Sequence, residues 1–554
     1  MRTRDVADLL VRAGTVRTMD PDAAPVTALA IRQGAIVAVA GPDGERDLLA
    51  AWRGPDTVML DDPGLVVMPA FVDTHNHLML AARDAVAVPV TQARDIPAII
   101  GLIRERAGRT PAGQWITTAA GWHEMRLAER RLPTAAELDQ ATTDHPVLLL
   151  RGGHNAVLNT AGLAAAGLRP DVADVPGGFI ARDAAGKPAG WVQDAALDLV
   201  LAQVPPMSED DLVTGLDQAS GRYAAHGLGT VRDPVVTPPE WRAYQRAQAT
   251  GRLSVNSNVM IGSSAAAIRT AGSVDAYLDS LEAQGIRPGA GAGGLRLWGL
   301  KFFLDGGVEA GALEQPYAGR PGYRGELLWE GGELARAFAT CVRRGWPAGT
   351  HAFGDRAVAV VLRAIRDARD QAGPAPAGTL VIEHGGLIGG HIAEAVDLGV
   401  HITVQQGLLE GLGAALVAAW GAERTAALFP WRELVEAGAW ISAGTDHPIG
   451  PLDPLLAIHG MTTRRTPAGV LGPEHAIGRA EAIRLYTVAG ARFLGRPAGA
   501  ALVPGAPADL AGYPADPFTC PAGQLLELAP AFTVAGGRVT HGGLRAAPGA
   551  GLTA

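Results

Sequence analysis

The chain has 554 residues, of which 48% are hydrophobic and 19% charged, and it carries a formal charge of −9. That length is too great for one compact core, so two or three structural units are expected, and the composition is that of a packed soluble enzyme. An acidic balance without a Lys/Arg run argues against a nucleic-acid or anionic-membrane partner, either of which needs a basic face.

Cys341 and Cys520 are the only cysteines, too few for a disulfide framework or a cysteine zinc cluster. The first twenty residues hold no apolar stretch of signal-peptide length. No later run approaches the roughly 18 apolar residues of a membrane span. A cytoplasmic protein is therefore expected, with no membrane partner. Lysine is nearly absent: Lys187 and Lys301 stand against 45 arginines. A retained lysine is a sharper clue here than elsewhere.

In chain order, the N-terminal stretch alternates short apolar runs with Gly and Asp turns, which predicts a small antiparallel sheet. The C-terminus repeats that texture in ADLAGYPADP and FTVAGGRVTHGG. The two ends form either separate β tails or one small β-sandwich from residues 1–64 and 498–554, and the second arrangement is preferred. Between them, over 65–497, eight short apolar strands alternate with helical patterns. The strands fall at 65–75, 227–233, 254–261, 295–306, 346–355, 379–386, 400–407 and 439–448. Helix-like runs at 356–371 and 392–398 follow two of them, the βα repeat of a (β/α)8 TIM-like barrel. About 150 residues separate the first strand from the second, far more than one crossover helix needs, so an α+β subdomain is expected at about 80–225. Ala/Gly/Pro-rich stretches at 286–294 and 372–378 read as loops, and no repeat of solenoid period occurs.

Polar residues collect where these strands end, which is where barrel enzymes place their catalytic groups. The first strand ends in Asp73, Thr74, His75, Asn76 and His77. Residues i and i+2 of an extended segment share a side, so both imidazoles can face one ion. Read alone, the pair is a weak signal, and two loop histidines are the alternative. The fifth strand ends in His351, the sixth in Glu383 and His384, and the eighth in Asp446. Imidazoles and a carboxylate at one rim suit zinc and related divalent ions. Lys301 lies in the fourth strand between Leu300 and Phe302. A desolvated amine can lose its proton and take up carbon dioxide as a carbamate, which a guanidinium cannot do. The alternative is a lysine snorkelling at the barrel rim.

This combination resembles the amidohydrolase superfamily, and more narrowly the branch containing N-substituted formamide deformylase. The segments MPAFVDTHNHL, AAGWHE, KFFLDGGVE, THAFGDRAV, IEHGGLI, GTDHPIGPLDPL and TVAGGRV carry the likeness, in order over most of the chain. The resemblance implies two zinc ions bridged by carboxylated Lys301. His75 and His77 would hold the more buried ion, with Asp446 contacting it. His351 and His384 would hold the second. A metal-activated hydroxide would attack an amide-type C–N bond in an N-substituted formamide, N-acyl amine, carbamate or cyclic amide, with Asp446 as proton shuttle. The same superfamily also implies decarboxylase or isomerase chemistry as an alternative, and a non-catalytic assembly protein as a third.

Three positions depart from that pattern: His447 stands where Trp is usual, Gln406 where Pro is usual, and His123 where Asp is common. Trp122, His123, His154, Gln405 and His447 are the candidate substrate contacts, with a plain structural role as the alternative for Trp122 and His154. The expected partner is a small amide-type molecule, and a homodimer is the default assembly.

Overall fold

The computed structural model describes residues 6–543 except 154, 174, 176–177 and 497–500. The chain forms two compact units, one of Met1–His77 with Ser220–Ala554, the other of Leu78–Ala219.

In the first unit, strands β1 (Leu9–Val16), β2 (Val26–Arg32), β3 (Ala35–Ala40) and β4 (Val58–Pro69) open the chain. After Ala70 comes β5 (Phe71–Asp73), which belongs to a different sheet. The second unit follows in sequence, with β6 (Ile116–Thr117), β7 (Val147–Arg151), β8 (Asn155–Leu158), β9 (Gly178–Arg182) and β10 (Pro188–Asp194). These make a sheet of order β6-β7-β8-β10-β9. Helix Ile96–Ala107 starts at Asp95, whose side chain accepts from the Ala98 N–H, with Pro97 in its first turn. Its Ile96, Ile99, Ile100 and Ile103 recur at helical spacing and are buried with Val147, Leu149 and Val157 of the sheet.

Back in the first unit run β11 (Leu228–Val236), β12 (Asn256–Gly262), β13 (Leu295–Phe303), β14 (Ala348–Ala352), β15 (Leu380–His384), β16 (His401–Val404) and β17 (Ile441–Ala443). With β5 they form an eight-stranded sheet in chain order, every ladder parallel. Its two outer strands meet through Thr74, whose N–H and hydroxyl both donate to the Ala443 carbonyl at 3.2 and 2.9 Å. The sheet thus nearly closes into a TIM-like barrel. Helices follow the strands: in Asp355–Ala372, Val358, Val361, Leu362 and Ile365 form the buried stripe. Helix Gly331–Arg344 stops at Gly345, whose φ of +68° supplies the left-handed cap before β14.

A two-residue ribbon, β18 (Arg465–Thr466) with β19 (Gly469–Val470), precedes the last strands β20 (Leu510–Tyr513), β21 (Phe532–Ala535) and β22 (Arg538–Gly542). Hydrogen bonding joins both ends of the chain in one continuous seven-stranded sheet, β22-β21-β20-β4-β1-β2-β3. Leu9, Val11, Leu29 and Ile31 share an apolar cluster with Leu510, Phe532 and Val534. Among the described residues no helix is long and apolar enough to cross a membrane.

Candidate metal centre

The end of β5 is tied to the end of β17 by a buried carboxylate. Asp73 Oδ1 accepts from the N–H groups of His75 and Thr445, each at 3.1 Å, and Oδ2 accepts from the Thr445 hydroxyl at 2.5 Å. The His75 carbonyl accepts from the Asp446 N–H at 2.8 Å, and the His447 carbonyl accepts from the His77 N–H at 2.8 Å. Those bonds bring the two histidines to Asp446. Oδ1 of Asp446 lies 3.0 Å from His77 Nε2 and 3.4 Å from His75 Nε2.

His75, His77 and Asp446 thus present ligand-type atoms within 4.8 Å of one another, a cluster able to hold a metal ion. Two of those atoms, His75 Nε2 and Asp446 Oδ1, are buried and have no hydrogen-bond partner, and the same is true of Lys301 Nζ. The short approaches to Asp446 are therefore contacts without hydrogen-bond geometry, as between atoms aimed at a common centre. Each unsatisfied buried polar atom costs about 1–3 kcal/mol. A divalent cation among them would satisfy them together, so the donor set fits a metal.

The neighbouring strands bring the rest of the expected set. Lys301 on β13 is 1% exposed, with its ammonium 5.1 Å from the centre of the Phe303 ring. Burial lowers its pKa to about 8, against the pull of the Glu383 and Asp446 carboxylates. Its charge in turn reaches His77, His351 and His384. The rings of His384 and His351 are 4.5 Å apart, and those of His384 and His75 4.6 Å. Burial lowers His351 to about 3 and takes His384 well below the usual imidazole range, so both are held in the neutral, ligating form. For Asp446, burial works upward, but His75 and His77 outweigh it and keep the carboxylate ionised.

Three of the four imidazoles, those of His75, His384 and His351, have one nitrogen engaged by a protein oxygen. His75 Nδ1 lies 2.5 Å from Glu383 Oε2, and His384 Nδ1 lies 2.6 Å from Gln405 Oε1. His351 uses Nε2, which faces the Gly306 carbonyl at 3.3 Å. The nitrogens left for a metal are Nε2 of His75 and His384 and Nδ1 of His351. His384 and Asp446 also have φ values of +74° and +56°. Left-handed backbone at residues other than glycine costs about 1–3 kcal/mol each and persists where the surroundings impose it.

Gln405, expected among the substrate contacts, is fully buried, with Oε1 2.6 Å from His384 Nδ1. Gln406 is structural: its Oε1 accepts from Trp431 Nε1 at 2.8 Å and from Arg464 Nη1 at 3.1 Å. His447 lies beside the cluster, half-buried, with Nδ1 3.0 Å from the Tyr223 hydroxyl. In the second unit Trp122 is 6% exposed and donates from Nε1 to the Leu150 carbonyl at 2.6 Å. His123 caps a short turn there, its Nδ1 accepting from the Met125 N–H at 3.2 Å. His154 lies outside the described residues.

Sequence reasoning missed Arg232 and Asp305 as parts of the site, and noted Asp73, Glu383 and Thr445 only as strand ends. Asp305 Oδ1 is 3.5 Å from His351 Nε2 and accepts from the Phe353 N–H, while Oδ2 accepts from those of Ala312 and Gly354. The available signal was a charged residue within or just after an apolar barrel strand, which has to be paired if buried.

The model of the amidohydrolase family matches residues 60–541. An N-substituted formamide deformylase of Arthrobacter pascens is 29% identical over 538 residues, 94% of this chain and 96% of that protein. A putative amidohydrolase of Bacillus subtilis strain 168, YtcJ, is 26% identical over 95% of this chain and 98% of its own length. The crystal structure of an uncharacterized metal-dependent hydrolase from Pyrococcus horikoshii OT3 superposes with a TM-score of 0.74 at 24% identity, over 93% of this chain and 99% of that one. With the metal-binding cluster at the barrel rim, these matches establish that the chain belongs to the amidohydrolase family and is a metal-dependent hydrolase of carbon–nitrogen bonds.

Proposed function

We propose that this enzyme hydrolyses the amide-type C–N bond of an N-substituted formamide, an N-acyl amine, or a related carbamate or cyclic amide. Two divalent ions, zinc being the first choice for imidazole and carboxylate donors, would be held by His75, His77, Lys301, His351, His384 and Asp446. Lys301, as its carbamate, would supply an anionic oxygen donor to them.

The observation that carries this reading is Lys301 itself. It is a fully buried amine without a hydrogen-bond partner, lowered to about 8, in electrostatic reach of the ligand set. A neutral amine reacts with carbon dioxide, and the product offers anionic oxygens where the amine offered none. The relation to the Arthrobacter pascens deformylase supports the choice of amide-type substrates.

Ions held here supply a water that is acidic near neutral pH and a Lewis acid for a carbonyl oxygen. The protein's own part falls to Asp446. Its carboxylate takes the proton of the attacking water as the new C–O bond forms. When the C–N bond breaks, the same carboxyl returns that proton to the leaving nitrogen, so the amine departs neutral. Glu383 and Gln405 keep His75 and His384 aimed throughout.

A panel of N-formyl, N-acetyl and carbamate derivatives of one amine, assayed for amine release by the metal-loaded enzyme, tests the reading. Equimolar amine and carboxylic acid from the formyl or acetyl derivative, or amine with alcohol and carbon dioxide from the carbamate, supports it. Loss of carbon dioxide or isomerisation without uptake of water contradicts it and returns the decarboxylase or isomerase alternative.

A further inference from the structure

Below the metal cluster, the barrel interior holds an ion pair where an apolar layer would pack. Arg232 on β11 and Glu383 on β15 are both fully buried. Nη2 of Arg232 lies 2.7 Å from each Glu383 oxygen, and Glu383 Oε2 also accepts from the Thr403 hydroxyl at 2.6 Å. Its remaining partner is His75 Nδ1, at 2.5 Å. Burial opposes the charge on both partners, yet Glu383 stays well below the carboxylate range because Arg232 faces it. A guanidinium does not give up its proton, so the pair is ionic. Three of these four contacts fall on Oε2, which is thereby committed to protein donors.

Arg232 also grips the main chain on both sides of His75. Its Nε donates to the Thr74 carbonyl at 2.8 Å, and its own carbonyl accepts from the Asn76 N–H at 3.1 Å. The guanidinium is clamped in turn over Trp298 and Phe493, with ring centroids 4.6 and 5.0 Å away. One arginine thus holds the backbone of His75 directly and its ring through Glu383. A buried ion pair rarely stabilises a fold relative to apolar residues of similar size. Its placement under a histidine of the metal cluster points to a different use.

We infer that Arg232 and Glu383 are a positioning pair for His75. They lock it in the tautomer that offers Nε2 and thereby set how tightly the His75–His77–Asp446 cluster retains its ion. The inference rests on the reading of His75 as a ligand. An anionic acceptor on Nδ1–H makes the opposite nitrogen a stronger donor, and loss of such a partner lowers metal affinity by about 10–100-fold.

The test is the rate at which the zinc-loaded full-length enzyme loses metal to a chelator, with the visible spectrum of the cobalt form and thermal unfolding as parallel readouts. Glu383→Gln keeps the shape and should release zinc about 10–100-fold faster, with a changed cobalt spectrum. Glu383→Asp keeps the charge for Arg232 but withdraws the carboxylate from His75. It should behave alike, and it carries the test if the Gln variant does not fold. The double variant Arg232→Met, Glu383→Gln removes any unpaired buried charge and should still release metal fast. Wild-type retention in both Glu383 variants, or its recovery in the double variant, overturns the inference. His75→Asn separates the two claims: if it alone loses metal, the positioning role fails and the ligand stands. If it too retains metal at the wild-type rate, the ligand reading fails with it.

Discussion

The N–H of Asp446 donates to the carbonyl oxygen of His75 at 2.8 Å, so the carboxylate and one histidine of the metal cluster are fixed by a main-chain bond between the first and last barrel strands. Asp73 reinforces that seam from the other side by accepting from both His75 and Thr445. The cluster is therefore a property of barrel closure.

Gly444 should be irreplaceable at this seam. A Cβ there would fall 2.7 Å from the His75 nitrogen and 2.8 Å from its oxygen, and main chain cannot swing aside. Gly444→Ala should cost about 1–3 kcal/mol in stability and lower the metal content of the purified protein. Denaturant unfolding with elemental analysis checks both.

Lys301→Arg should abolish hydrolysis, because a guanidinium cannot form a carbamate. Intact-mass spectrometry under native conditions should show the increment of one carbon dioxide in the wild type and none in the variant. Near-wild-type turnover in the variant contradicts the bridging role.

The same lysine gives a pH signature in the metal-free protein. Its folded pKa is lowered by burial to about 8, against 10.5 for an ordinary lysine. Between those values the unfolded chain holds a proton that the folded chain lacks, so stability rises with pH across that window. Below it the full penalty applies, on the order of 3 kcal/mol. Lys301→Met should lack this slope. Urea unfolding of both proteins at pH 8 and 10 reads the difference.

Asp446→Asn should retain substrate binding and the fold but lose about 10²–10⁴-fold in kcat, the usual worth of a positioned proton carrier. Steady-state kinetics at saturating metal separate the two effects: an unchanged kcat contradicts the assignment.

Removing residues 501–554 should leave insoluble protein. β20 pairs directly with β4, and Leu510, Phe532 and Val534 complete the apolar cluster begun by Leu9, Val11 and Ile31. A soluble, active truncation contradicts this dependence.

The barrel was legible because its strands are short apolar runs that end in polar residues, and all eight expected strands are present. The expected donors, His75, His351, His384 and Asp446, were read from the same texture, since they interrupt it where it stops, and the structure places their side chains near one another. What stayed hidden are contacts between residues far apart in the chain. Arg232 and Glu383 are separated by 151 positions and His75 and Glu383 by 308, and no local pattern links them. Gln405 illustrates the limit from the other side: its place after the seventh strand put it near the site, but only the fold shows that it faces His384.

The most direct test of metal-dependent C–N hydrolysis is amine release from an N-substituted formamide, measured on one preparation before chelation, after it, and after reloading. Turnover should vanish when the metals are stripped and return on addition of zinc with bicarbonate, the source of carbon dioxide for the proposed Lys301 carbamate. Undiminished turnover by protein shown to be metal-free would contradict the account.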